Sequence, residues 1–182
     1  EYVIPSQGVR ADFGDRSFYL LNEGSWGSNK STLDFYDAST STYIRNIYAE
    51  ANPGVVNELG DVGNDLQIYD GKLWAVINNS HLIEVMDAAT AQHITQLTIP
   101  NCRYITFHGR HAYVTSYAGP AGVDPNAQRG YVARIDLDLL TITDTCLVGY
   151  QPEGLAVSGD YLYVANSGGY RAPDYDRTIS VI

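Results

Sequence analysis

Asp70-Gly-Lys-Leu-Trp-Ala-Val76, His108-Gly-Arg-His-Ala-Tyr-Val114 and Ser158-Gly-Asp-Tyr-Leu-Tyr-Val164 are three versions of one phrase, a glycine-bearing turn that feeds an alternating strand. Asp15-Arg-Ser-Phe-Tyr-Leu20 is a weaker fourth version. Aligning the copies on Gly71, Gly109 and Gly159 gives spacings of 38 and 50 residues. Self-similarity at that period is the mark of a propeller blade, a four-stranded unit that cannot bury its apolar face alone. In this alignment Trp74 takes the place of Ala112 and Leu162, where a large apolar residue reads as core.

The surrounding sequence supplies the other strands in a fixed order. Before each turn sits a short apolar run, at Leu66-Gln-Ile-Tyr69, Tyr104-Ile-Thr-Phe107 and Gly154-Leu-Ala-Val157. After it comes a third, alternating strand, at 32–36, 82–86, 131–135 and 178–182. Three of these run directly into Asp37, Asp87 and Asp136, whose side chains can bond their own backbone and begin a turn. A fourth strand follows at 94–99 and 141–147. The expected fold is therefore all-β, a propeller of four-stranded antiparallel blades, with units near 12–52, 64–100, 102–148 and 152–182. The whole of 1–182 reads as about four blades of an incomplete ring, to be closed by a missing remainder or a second chain.

Composition agrees. The 182 residues include 15 Tyr and one Met, a balance suited to pleated, half-buried faces. A net charge of -10 repels phosphate backbones and anionic headgroups, so nucleic acid is not an expected partner. Glu1 opens the chain without Met or an apolar export segment, which reads as a processed or engineered start. Cys102 and Cys146 lack the spacing of a zinc site and read as small buried hydrophobes.

In a propeller, the loop into the inner strand and the loop between second and third strands share one face. The first class holds Asp61, Asn64 and Asp65, then Asn101, Arg103 and Tyr104, then Tyr150, Gln151 and Glu153. The second holds Glu23, Ser25 and Trp26, then Asn79 and His81, then Tyr117 with the turn-rich insertion 119–130, then Ser167, Tyr170 and Arg171. Trp26, Tyr117, Tyr150 and Tyr170 are the expected flat contacts, with Asn64, Asp65, Arg103, Gln151 and Glu153 as polar ones. For Arg103 a structural pairing with Glu153 or Asp65 across neighbouring blades is as good a reading as ligand contact. His81 reads as a loop residue or a ligand to a metal from above. Asn22, Asn78 and Asn166 take equivalent places after the second strand, with Ser116 in the remaining copy, a recurrence that turn formation explains. No Ser-His-Asp, His-rich or paired-carboxylate arrangement stands out at these loop positions, which favours binding over a lyase or quinoprotein activity.

Five stretches carry a family resemblance: residues 21–36 (from Leu-Asn-Glu-Gly-Ser-Trp), 52–64 (from Asn-Pro-Gly-Val-Val), Ile99-Pro-Asn-Cys-Arg-Tyr104, Gly149-Tyr-Gln-Pro-Glu153 and Tyr163-Val-Ala-Asn-Ser-Gly-Gly-Tyr170. The chain resembles the YncE-like β-propeller surface-layer proteins of gut Bacteroides-type bacteria, and within them the cobalamin-binding surface lipoproteins. That resemblance implies a seven-bladed parent, lipid-anchored on the outer leaflet of the outer membrane, that captures a corrinoid for a TonB-dependent transporter. It implies cobalamin as ligand and no catalytic cofactor. The ligand contacts it suggests are those of the loop face: Trp26, Asn64, Asp65, Asn79, His81, Arg103, Tyr104, Tyr117, Tyr150, Gln151, Glu153 and Tyr170. A surface propeller that binds glycan, peptide or another protein is the alternative on the same architecture.

Overall fold

Where a chain reverses over two residues, the handedness of that turn decides which of the two must be glycine. The computed structural model describes residues 16–55 and 59–182 and shows three such reversals. Tyr69 pairs with Lys72, His108 with His111, and Ser158 with Tyr161. The turn residues are therefore Asp70-Gly71, Gly109-Arg110 and Gly159-Asp160. Asp70 and Gly71 both have positive φ, +49° and +69°, whereas Gly109 (+57°) and Gly159 (+58°) occupy the first turn position.

Alignment on the glycines is thus one residue out of register. By strand pairing Trp74 corresponds to Tyr113 and Tyr163, not to Ala112 and Leu162. Asn22, Ser116 and Asn166 share their place at the strand end with Ile77, and Asn78 lies one residue further on. The reading of Trp74 as core stands, since it is fully buried.

The chain divides into two units, Glu1–Gln96 and Leu97–Ile182. In the first, β1 (Phe18–Asn22), β2 (Thr32–Asp37) and β3 (Thr42–Ile44) form one antiparallel sheet, and a short helix α1 (Ile47–Ala51) follows. The second sheet runs β4 (Gly63–Tyr69), β5 (Lys72–Ile77), β6 (Leu82–Asp87) and β7 (His93–Thr98). In the second unit the order is β8 (Cys102–His108), β9 (His111–Ser116), β10 (Tyr131–Asp136) and β11 (Thr141–Leu147), then β12 (Pro152–Ser158), β13 (Tyr161–Asn166) and β14 (Thr178–Val181). Every sheet is a meander in which sequence neighbours are sheet neighbours, the arrangement of a propeller blade. Residues 12–15 of the expected first unit lie outside the described residues.

The three aspartates at the ends of third strands make their turns as expected. Asp37 Oδ1 accepts the Ser39 N–H at 2.8 Å, Asp87 Oδ1 the Ala89 and Thr90 N–H at 2.9 Å each, and Asp136 Oδ1 the Asp138 and Leu139 N–H at 2.9 Å each.

Burial alternates along β13, whereas β5 and β6 are buried on both faces and β11 on neither. In the first unit Leu33, Phe35, Leu73, Ala75, Ile77 and Met86 join Ile47, Tyr48 and Ala51 of α1 in one core. A five-residue helix does not persist alone, so this packing holds α1 in place. In the second unit Val132, Val148, Leu162 and Val164 form a core with Tyr113, Leu155 and Val157 against it. Full burial of each large aliphatic or aromatic side chain contributes about 1.5–3 kcal/mol. Cys102 is buried, but Cys146 is exposed, because all seven residues of the outer strand β11 are exposed. Among the described residues no helix is long and apolar enough to cross a membrane.

Candidate functional site

A recurrent backbone device builds the loop face. Val62, Asn101 and Gln151, each just before an inner strand, have φ of +61°, +44° and +46°. Their carbonyls accept the N–H of Asn78 (2.8 Å), Tyr117 (3.2 Å) and Ser167 (3.3 Å), each just beyond a second strand. The loop entering each blade is thereby tied to the loop between its second and third strands, as the two candidate classes require.

Immediately after this device the inner strands bulge, between Gly63 and Asp65, Cys102 and Ile105, and Pro152 and Leu155. An extra residue at a strand end re-aims side chains, a common arrangement beside binding sites. Asn64, Arg103 and Tyr104, and Glu153 all sit in these bulges, and Asp65 is the paired residue that follows the first of them.

In the second unit the bulge residues meet. Arg103 Nε donates to Glu153 Oε2 at 3.0 Å and its Nη2 to Glu153 Oε1 at 3.3 Å, a fork that realises the first of the two pairings expected of Arg103. The Tyr117 hydroxyl donates to Glu153 Oε1, and the Arg103 guanidinium lies 5.0 Å from the centre of the Tyr117 ring. Tyr170 stands edge-on to Tyr117 with ring centres 6.3 Å apart. Thr115 Oγ1 donates to the Glu153 carbonyl at 2.9 Å and accepts the Tyr104 N–H at 3.0 Å, stitching the two bulges together. Burial, then the Glu153 carboxylate, pushes the Tyr117 hydroxyl well above the ordinary phenol value. Burial works against the Arg103 charge, yet Glu153 overrides it and holds the guanidinium above its usual value. The cluster thus sets the Arg103 cation and the neutral Tyr117 phenol against the two oxygens of the Glu153 carboxyl group.

The long loops complete this side. The insertion after Tyr117 is strapped down by Asn101 Nδ2, which donates to the Gly119 carbonyl at 2.7 Å, and by the Asp124 N–H, which donates to the Tyr170 carbonyl at 2.9 Å. Arg171 stacks on Tyr150 at 3.7 Å and donates to the carbonyls of Asp174 (2.9 Å) and Pro125 (3.3 Å). Gln151 is buried and its Oε1 accepts the Tyr170 N–H at 2.6 Å. Tyr117, Gln151 and the insertion line a half-open cavity of roughly 530 Å³, within the range of small-ligand sites.

In the first unit the centre is Asp61. Its Oδ2 accepts the Gly27 N–H at 2.8 Å and the Asn79 Nδ2–H at 2.7 Å, and its own N–H donates to Ser80 Oγ at 2.8 Å. This draws together the Trp26 loop and Asn79, and leaves Trp26 itself 75% exposed. His81 occupies a tight turn with φ +60°, its N–H on the Asn78 carbonyl. Among the described residues no group of three His, Cys, Asp or Glu side chains is placed to hold a metal ion.

Sequence reasoning passed over two features. Glu84 of β6 is fully buried, with Oε1 2.5 Å from His93 Nδ1 and accepting the Tyr48 hydroxyl at 3.2 Å. Asp176 accepts the Tyr150 N–H at 2.8 Å through Oδ2, and the Thr178 hydroxyl at 2.7 Å through Oδ1. The second was visible as an aspartate two residues ahead of a strand-initial threonine. The first gave no such signal.

Repeated antiparallel meanders of three or four strands, each of the last three with its entry loop tied to the loop between its second and third strands, are those of a β-propeller. Among solved structures, hydrazine synthase of Kuenenia stuttgartiensis shares the fold with a TM-score of 0.60 at 11% identity, over 90% of this chain and 47% of that one. Dihydro-heme d1 dehydrogenase NirN in complex with DHE does so with a TM-score of 0.50 at 11% identity, over 80% and 32%. The chain therefore spans about half or less of the length of these structures. Residues 16–170 match the family described as Domain of unknown function (DUF5074), and the chain belongs to that family. A search of the curated proteins finds no match.

Proposed function

We propose that this propeller is a non-catalytic binding protein of the cell surface whose ligand is a corrinoid, cobalamin in the first instance. The stretches at 21–36 and 52–64 resemble the YncE-like surface lipoprotein BtuG, and that resemblance supports the reading. On it, the parent protein is lipid-anchored at the outer leaflet and passes its ligand to a TonB-dependent outer-membrane transporter. The observation that carries it is the Arg103–Glu153–Tyr117 cluster. Cation, anion and phenol saturate one another, which suits a rigid platform and leaves no poised nucleophile or base within the cluster. Around it, Tyr150, Tyr170, Gln151 and the amides of the insertion supply the flat and hydrogen-bonding contacts that a ring fringed by primary amides requires.

Calorimetric titration of cyanocobalamin into the protein, with the visible corrin spectrum followed in parallel, tests this. One-to-one binding that weakens on substitution of Tyr117 or Gln151 supports it. The absence of both heat and spectral change overturns it and leaves the alternative of a propeller that binds glycan, peptide or another protein. The exposed indole of Trp26 beside the Asp61 cluster favours that alternative.

A further inference from the structure

The cavity under the insertion has a definite electrostatic character. Its lining includes Tyr117, Asp124, Asn126, Gln128 and Gln151, together with small and apolar residues of the loop. Asp124 is the sole charged side chain in that lining, and one of its oxygens, Oδ1, accepts the Asn126 N–H at 2.8 Å.

The cations of the surrounding loops have acceptors of their own. Arg103 is held in its fork with Glu153, Arg129 Nε donates to the Val148 carbonyl at 2.6 Å, and Arg171 is spread over the Tyr150 ring and donates to two backbone carbonyls.

The hydrogen-bonding ends presented to the cavity are also fixed. The Tyr170 N–H can bond only to an oxygen, so it sets the Gln151 amide with Oε1 engaged. The Gln151 Nε2 is left as a donor with no hydrogen bond among the described residues. The side-chain amides of Asn126 and Gln128 likewise make none. Amide donors and acceptors beside one carboxylate that has no ion-pair partner among the described residues match a group that both donates and accepts but carries no negative charge.

We propose that the insertion cavity is a subsite for an uncharged primary carboxamide arm of the ligand, and that Asp124 makes it discriminate against the corresponding carboxylate. The inference rests on the corrinoid reading and deepens it. A carboxamide can donate to Asp124 and accept from Gln151 Nε2, whereas a carboxylate loses the donor and meets a like charge. Discrimination of this kind uses repulsion as well as attraction. It weakens with salt, because Asp124 is exposed.

The test compares cyanocobalamin with its monocarboxylic acid derivatives, in each of which one peripheral amide is hydrolysed, by titration into the full chain at low salt. The expected result is that at least one acid binds about tenfold more weakly or worse, and that Asp124→Asn recovers much of that loss, read as the ratio of acid to cyanocobalamin affinity within the same variant. Asn keeps the oxygen that accepts the Asn126 N–H, so the loop is retained. Asp138→Asn, outside the cavity, serves as the charge control and is expected to leave the discrimination unchanged. Equal affinity for all the acids and cyanocobalamin overturns the subsite and leaves the corrinoid reading standing. So does a discrimination that Asp124→Asn leaves intact. No binding of cyanocobalamin overturns both.

Discussion

Arg103 and Glu153, fifty residues apart, occupy the same bulge position in successive inner strands and close a two-bond fork across them at 3.0 and 3.3 Å. Their side chains retain only 18% and 24% of their accessible surface, so the pair is shielded but not fully desolvated. Removing one partner strands the other. Arg103→Ala and Glu153→Ala are each expected to cost about 1–3 kcal/mol, with the double variant less damaging than their sum by at least about 0.5 kcal/mol. Urea unfolding of the three variants measures this. Strict additivity would mean that the fork contributes nothing as a pair.

Trp26 and Trp74 are opposites, one 75% exposed and the other fully buried. The Trp26 loop is pinned through Gly27 to Asp61 Oδ2, while Asp61 Oδ1 is buried without a hydrogen-bond partner among the described residues. Asp61→Ala removes the pin. Acrylamide is expected to quench Trp26 and spare Trp74, so that Trp26→Phe leaves blue-shifted, poorly quenched emission. In Asp61→Ala, amide exchange across residues 24–30 is expected to rise with Trp74 still protected. Unchanged exchange there would remove Asp61 as the anchor of that loop.

Much of this architecture is legible in the chain itself, because turn chemistry and alternation are local. The aspartates at 37, 87 and 136 announce their turns, and the strands follow at the expected places. Register was misread by one residue because two turn geometries place glycine at different positions, and spacing alone does not distinguish Asp70-Gly71 from Gly109-Arg110. Helix α1 escaped notice since it spans five residues, follows Asn46 in a left-handed conformation with no side-chain cap, and depends on packing. Cys146 was misplaced because an outer strand alternates like any other while burying nothing. The candidate residues of the second unit were readable as loop positions. The Arg103–Glu153 pair was readable as one of two alternatives, but the joining of Tyr117 and Tyr170 to it was not, since that depends on how two bulges and two long loops face each other.

Three tyrosines are expected to titrate late. Burial pushes the Tyr19, Tyr48 and Tyr117 hydroxyls well above the ordinary phenol value, and the carboxylates of Asp87, Glu84 and Glu153 respectively add to it. In the unfolded chain each ionises near about 10. The folded state therefore holds protons that the unfolded state releases, so this contribution to stability is complete below about pH 10 and declines as pH rises beyond it. Tyrosinate absorbance should show most of the 15 tyrosines ionising reversibly and a late group appearing only with unfolding. A single smooth titration with the fold intact would contradict the burial of these three hydroxyls.

Asp176 gives the acid counterpart. Burial works against its charge, but the N–H of Tyr150, the hydroxyl and N–H of Thr178 and the N–H of Arg177 outweigh it and hold the carboxyl below its usual value. The folded pKa being the lower one, the stabilisation is present above the unfolded value of about 3.9 and is lost as pH falls through the folded value. Asp176→Asn keeps the shape and removes the charge. It is expected to lower stability near neutrality by about 1 kcal/mol and to flatten the decline below about pH 4. The same contact predicts a steric effect, because a Cβ on Gly149 would lie 2.4 Å from Asp176 Oδ2 and 2.4 Å from Asn166 Cγ. Gly149→Ala should therefore cost about 1–3 kcal/mol and displace Tyr150, whose N–H bonds to that carboxylate, from beneath Arg171. If Tyr150 is a ligand contact, Asp176→Asn and Gly149→Ala will both weaken ligand binding more than Asp138→Asn does. Equal binding in all three would confine Asp176 to a structural role and remove Tyr150 from the site.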